Sequence, residues 1–171
     1  MTPRRAFAAL ACVAAAATVA GVALSEPTRS QTFFKDRLVA DRATAAQVRS
    51  TLRDGSAFVE RSITFRDLTG DEKDDAIVRV QSGGAAGAVA VYVFSTDGAR
   101  DDALRVVYRA QKLTRASISV RDDVLFHRSA VYAPGDDLCC PARLVETELE
   151  WVDGRFRVRG RTDVTPPAPP S

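Results

Sequence analysis

Hydrophobic positions divide the chain into stretches of different period. Ala6 to Leu24 is apolar with no period, broken only by Thr18 and Gly21. Ser30 to Ala40 reads as a lead-in that offers Phe33, Phe34, Leu38 and Val39 for packing. Arg42 to Arg53 carries the helix formers Ala43, Ala45, Ala46, Gln47, Val48 and Leu52; Asp41 is a fair N-cap, and Asp54-Gly55 supplies the stop. From Ser62 the period becomes two, the signature of half-buried strands. Strands are expected over Ser62–Phe65, Ala76–Gln81, Ala88–Phe94, Leu104–Ala110, Ala116–Arg121, Val124–Tyr132, Arg143–Trp151 and Arg155–Arg161. Ala88–Phe94 is apolar on both faces, so it reads as a central buried strand. Gly83 to Gly87 and Thr96 to Asp102 are turns. Thr165 to Ser171 contains four prolines and reads as a tail. No repeat recurs at a fixed period, which excludes a whole propeller or solenoid.

The last two strands fix their own register. Asp153-Gly154 is a two-residue hairpin signal, because a type I′ turn needs φ > 0 at both positions. It sets Trp151 opposite Phe156 and Leu149 opposite Val158 on one face. On the other face it pairs Glu150 with Arg157, Glu148 with Arg159 and Glu146 with Arg161. The arginine row is then half of a charge ladder rather than an anion site.

The opening segment sets the compartment. Arg4 and Arg5 precede the apolar run, and Ala23-Leu24-Ser25 offers small residues for cleavage, with Glu26 the first mature residue. A basic start, an apolar centre and a small-residue end describe a secretory signal over residues 1–25. An alanine-rich run favours cleavage over a stable span; an N-terminal membrane anchor is the alternative. Arg4-Arg5-Ala6-Phe7 resembles the twin-arginine export signal. Cys12 lies inside the apolar run and lacks a lipoprotein box around it. The expected location is the periplasm, cell envelope or extracellular space, with no membrane span once the signal is removed.

Composition narrows the partners. The whole chain carries a net charge of +2, and removing Arg4 and Arg5 from its 24 basic residues leaves 22 against 22 acidic. A neutral chain with interleaved charges has no basic stripe for nucleic acid. The partner expected is a protein or an envelope ligand. With one histidine, no Gly-x-Ser-x-Gly elbow, no phosphate loop and no zinc spacing, the usual catalytic constellations are missing. His127 falls in the strand Val124–Tyr132, where an Asp122-Asp123 turn would set it opposite Ile118 as a half-buried strand histidine.

Residues 67 to 75 read DLTGDEKDD. Side-chain oxygens fall at Asp67, Thr69, Asp71 and Asp75, and Lys73 can offer its carbonyl. Alternate positions of a tight loop can converge on a hard cation, which makes calcium the candidate cofactor. An EF-hand is unsuited: its twelfth position would be Val78, and strands rather than helices flank the loop. The loop resembles the calcium loop of FG-GAP/VCBS-type repeats, of the form D-x-[DN]-G-D-G-x-x-D between strands. Asp67, Gly70, Asp71 and Asp75 match; Thr69 stands where Asp or Asn is usual, and Glu72 where Gly is usual. A glycine there permits φ > 0, which Glu adopts at some cost. A polar turn whose acids cap backbone amides is the plain alternative.

Two thiols remain in the mature chain, Cys139 and Cys140. Adjacent Cα atoms lie ~3.8 Å apart, below the usual disulfide range, so a bond between them would be strained. A vicinal disulfide stiffening Ala133–Pro141, unpaired or intermolecular thiols, and a redox or soft-metal site all stay open. More broadly, the strand–DLTGD…DDA–strand unit, Cys139-Cys140-Pro141, and Trp151 before Gly154 look like small bacterial exported proteins of unknown function, faintly similar to the LppP/LprE-type lipoprotein family. That resemblance implies an envelope or extracellular location and no particular activity.

The expected architecture is mainly β, of the α+β kind: an antiparallel meander of seven to eight strands, as a sandwich or curved sheet, with one N-terminal helix, over residues 26–163, followed by a proline-rich tail at 164–171. The expected function is a non-enzymatic binding or scaffolding domain with calcium as a candidate support. The rival is a cell-envelope enzyme or a metal- or thiol-handling protein built on Cys139-Cys140.

Overall fold

The computed structural model describes residues 26–96, 103–137 and 141–165. The leader, the Cys139-Cys140 pair and the last six residues lie outside the described residues.

Two helices open the fold, not one. The stretch read as a lead-in is helix α1 (Arg29–Ala40). Thr28 and Gln31 cap it reciprocally: the Gln31 amide donates to Thr28 Oγ1 at 3.2 Å, and the Thr28 amide donates to Gln31 Oε1 at 2.8 Å. Such a capping box satisfies two of the orphan amides at a helix start. Phe34 and Leu38, one turn apart, supply its buried stripe. Asp41 is therefore the C-cap of α1 rather than an N-cap, and its Oδ1 accepts the Ala43 amide in the turn that follows. Helix α2 (Ala46–Asp54) starts later than expected, at an N-cap, Ala45, that has no side-chain oxygen. Gln111 compensates from a distant strand: its Oε1 accepts the Ala45 amide at 2.6 Å. Gly55 ends α2 at φ 82°, in the left-handed region that stops a helix at little cost to glycine.

Nine antiparallel strands follow among the described residues, in two sheets. The first holds β1 (Ala57–Val59), β2 (Thr64–Arg66), β3 (Asp75–Ser82), β4 (Ala88–Ser95) and β5 (Arg105–Gln111), with β1 and β2 pairing opposite ends of β3 and the order continuing β3-β4-β5. The second is a plain meander of β6 (Ser117–Arg121), β7 (Val124–Val131), β8 (Arg143–Val152) and β9 (Arg155–Val164). The strand that sequence patterning passes over is β1, whose three residues are too few to show a period.

Side chains alternate across the first sheet, and each face has its own partner. Ala76, Val78, Val80, Ala90, Tyr92 and Phe94 pack with Phe34, Leu38, Val48 and Leu52 of the helices. Ile77 and Val93 point the other way and meet Leu68, Leu125 and Leu149, so the second sheet lies on that face. The order of layers is helices, first sheet, second sheet. β4 lies in the middle, with both faces covered, as its unbroken apolar run predicts.

Bulges re-aim side chains in both sheets. Val93 pairs with Tyr108 and Phe94 with Val106, so Val107 is the extra residue; Tyr108 thereby turns toward the second sheet. In the last hairpin, Asp153 (φ 51°) and Gly154 (φ 75°) form the expected turn, and Trp151 meets Phe156, Glu150 meets Arg157 and Leu149 meets Val158. The register then shifts. Glu148 faces Gly160, Thr147 faces Arg161 and Glu146 faces Thr162. The charge ladder expected to run to Glu146–Arg161 is thus cut short. Arg159, the bulge residue, still reaches Glu148 at 3.0 Å, while Glu146 is held by Arg121 and Arg128 at 2.5 and 2.8 Å. Those two arginines, Arg121 above all, hold the Glu146 carboxyl below the usual range.

Candidate functional site

The bulge at Arg159 transfers Arg161 from the outer face of the second sheet to its inner face. There, His127 pairs with Thr147 and Thr147 pairs with Arg161, so three polar side chains lie in one row across β7, β8 and β9. The next row toward the hairpin turn is apolar, Leu125–Leu149–Val158. On the other side lies the row Ser129–Val145–Asp163, whose acid is taken by Arg143 at 3.1 Å. The sheets touch at the Leu125–Leu149 end and part beyond it, which leaves a groove of about 460 Å³ walled by Tyr108 and Ala110 of β5. Val158 is 51% exposed within it, so the groove is open. Its volume falls in the range of small-molecule sites.

His127 is the chemical centre of this groove. The residue is 8% exposed, with Nδ1 3.4 Å from the Tyr108 hydroxyl and Nε2 shut from solvent without a hydrogen-bond partner. Burial alone pulls the imidazole below its ordinary pKa, so the ring is neutral at pH 7. The same cause pushes the Tyr108 hydroxyl up to about 12, so it keeps its proton. Arg161 makes no ion pair among the described residues and brings the groove its single charged side chain. His127 lies opposite Ile118, as the turn at Asp122-Asp123 implies. Arg161 and Tyr108 escape sequence reasoning because bulges place them, and Thr147 because no short turn fixes the register of β7 against β8. One signal was present: Gly160, isolated inside a strand pattern, marks a bulge.

The acidic loop is organised around its own backbone. Asp67 Oδ1 accepts the amides of Thr69 and Gly70 at 3.2 and 2.6 Å, and Oδ2 accepts that of Glu72 at 3.0 Å. Asp71 Oδ1 accepts the Lys73 amide at 3.1 Å. Glu72 takes φ 63°, the conformation in which glycine is usual. Asp75 is different. It is 1% exposed at the start of β3, between the sheets, and its Oδ2 accepts the Leu68 amide at 2.8 Å. Burial raises its pKa, against a lowering by the neighbouring Ser95 hydroxyl and the Leu68 amide. Asp75 Oδ1 and Thr69 Oγ1 are shut from solvent without hydrogen-bond partners. Among the described residues no three acidic, His or Cys side chains gather around one point. Calcium wants six to eight oxygens, whereas Asp67 is spent on three amides. As arranged, Asp67, Thr69, Asp71, Lys73 and Asp75 fit a self-capped turn better than a closed cation cage.

The loop that carries Cys139 and Cys140 is tied at both described ends. Asp136 Oδ2 accepts the amides of Ala133 and Ala142, each at 2.7 Å. The cysteines themselves lie outside the described residues. Among those residues, no helix is long and apolar enough to cross a membrane. Compared with protein-family models, with curated proteins and with solved structures, the chain matches none.

Proposed function

We propose that this is an exported, non-enzymatic binding module whose ligand occupies the groove on the inner face of β7–β9. The supporting observation is the Nε2 atom of His127, buried and unpartnered on the wall of an open, largely apolar groove. A buried polar atom without a partner costs about 1–3 kcal/mol, and a ligand that satisfies it would recover that cost. Binding is favoured over catalysis because, among the described residues, no carboxylate lines the groove to orient the imidazole as a general base. Export rests on Arg4-Arg5 and the apolar run to Leu24. The test is an NMR titration with octan-1-ol, octanoate and octylammonium. Shifts gathered on Tyr108, His127, Thr147 and Val158 with at least one probe are expected; shifts with none of them, or only elsewhere, would sink the reading.

Calcium support of the Asp67–Asp75 loop is a second reading, favoured by the partnerless Asp75 Oδ1 and Thr69 Oγ1. Thermal unfolding with EDTA and with millimolar calcium separates the two forms of the loop. A ligand that binds only the native state must raise the midpoint. A rise that Asp71→Ala abolishes makes the loop a metal site; an unchanged midpoint leaves it a turn.

A further inference from the structure

We infer that the ligand of this groove is an aliphatic carboxylate, its anionic head on the His127–Thr147–Arg161 row and its chain along Val158 and Phe156. This deepens the binding reading given above and depends on it.

The head is argued from donors. The Tyr108 hydroxyl lies 3.4 Å from Nδ1, and in the tautomer where it donates there the ring proton of the neutral imidazole lies on Nε2. Nε2 has no acceptor within the protein. The Arg161 guanidinium offers only donors and always carries its charge. The Thr147 hydroxyl, between them by register, can donate to either side. In that tautomer the row offers three donors and one positive charge, the complement of an oxyanion bearing one negative charge. The nearest acid on this face, Asp163, cannot substitute for it, because Arg143 already holds its carboxylate.

The chain is argued from the flanking rows. Val145 lies on one side of the polar row and Leu149 and Val158 on the other, with Phe156 beyond them. An apolar tail beside the head buries surface worth about 25 cal/mol per Å². A cationic head would meet Arg161 as a like charge. A neutral alcohol would leave the guanidinium without its counter-charge.

The purified protein contains one histidine, so its imidazole resonances report on the groove without ambiguity. Octanoate, octan-1-ol and octylammonium are titrated below their aggregation limits while the His127 ring signals are followed. Octanoate is expected to shift them and to bind at least ten-fold more tightly than octan-1-ol. Arg161→Gln, on the rim where the fold does not depend on it, should reduce that preference to less than three-fold at an unchanged melting temperature. Equal binding of acid and alcohol by the wild-type protein overturns the carboxylate assignment while the groove survives as a site. A preference that persists in Arg161→Gln overturns it too. Binding of no probe overturns the groove and the assignment together.

Discussion

At the scale of single residues, His127 and Asp75, both buried, pull stability in opposite directions with pH. His127 is held neutral by burial, below its ordinary value of 6.5. The unfolded chain takes up that proton first. Between 6.5 and the lower folded value the unfolded state binds more protons, so stability falls as pH drops through that window and levels off below it. Asp75 is raised by burial above 3.8. There the folded state binds the proton more tightly, so its contribution is present below 3.8 and is lost as pH rises through the folded value. The comparison of His127→Gln with wild type therefore isolates one term. Urea midpoints at pH 7.5, 6 and 5 should fall further for the wild-type protein than for the variant. Parallel losses in the two would show that the ring is not kept neutral by its surroundings. The site was only partly legible at this scale. His127, its strand and its partner Ile118 follow from a two-residue turn, but its partnerless Nε2 depends on how far the two sheets stand apart, and no local pattern encodes that.

At the scale of elements, what could be read and what could not divide along the range of the forces involved. The Asp153-Gly154 turn and the alternation on either side are local, and the pairs Trp151–Phe156, Glu150–Arg157 and Leu149–Val158 came out as the sequence predicts. At the next residue, Glu148, the register moves by one, because Arg159 is extruded beside Gly160, and the inner row beyond it becomes the polar Thr147–Arg161 pair. A bulge is decided by which register packs best against the opposite layer, and strict alternation cannot see that. The consequence was functional: Arg161, expected in an outer charge ladder, became the one charge in the groove. Helix α1 is hard to read from the sequence for another reason. Its apolar positions are few, and its start is defined by Thr28 and Gln31, a capping box visible in the sequence only when it is looked for. The start of α2 is not locally encoded, because its cap comes from Gln111, a contact across 66 residues.

At the scale of the whole molecule, burial is uneven, and this bears on how the groove works. Most of β3 and nearly all of β4 are buried between the helices and the second sheet, whereas β9 is largely exposed and pairs on one side only. Local opening is easiest where few apolar contacts must be broken, so the hydrogen-bonded amides of β9 should exchange with solvent well before those of Val78, Val80, Tyr92 and Val93, which should wait for global unfolding. Hydrogen exchange followed residue by residue checks this, and equal protection across β4 and β9 would contradict it. The same gradient predicts what a ligand does. Arg161, Val158 and Phe156 all belong to β9, so a molecule seated on them ties the least protected strand to β8 and to the wall formed by Tyr108. Octanoate should therefore slow exchange in β9 and leave β4, already limited by global unfolding, slowed only by the overall gain in stability. The helices and the first sheet form the better-buried frame, and the second sheet presents the proposed groove on its looser edge.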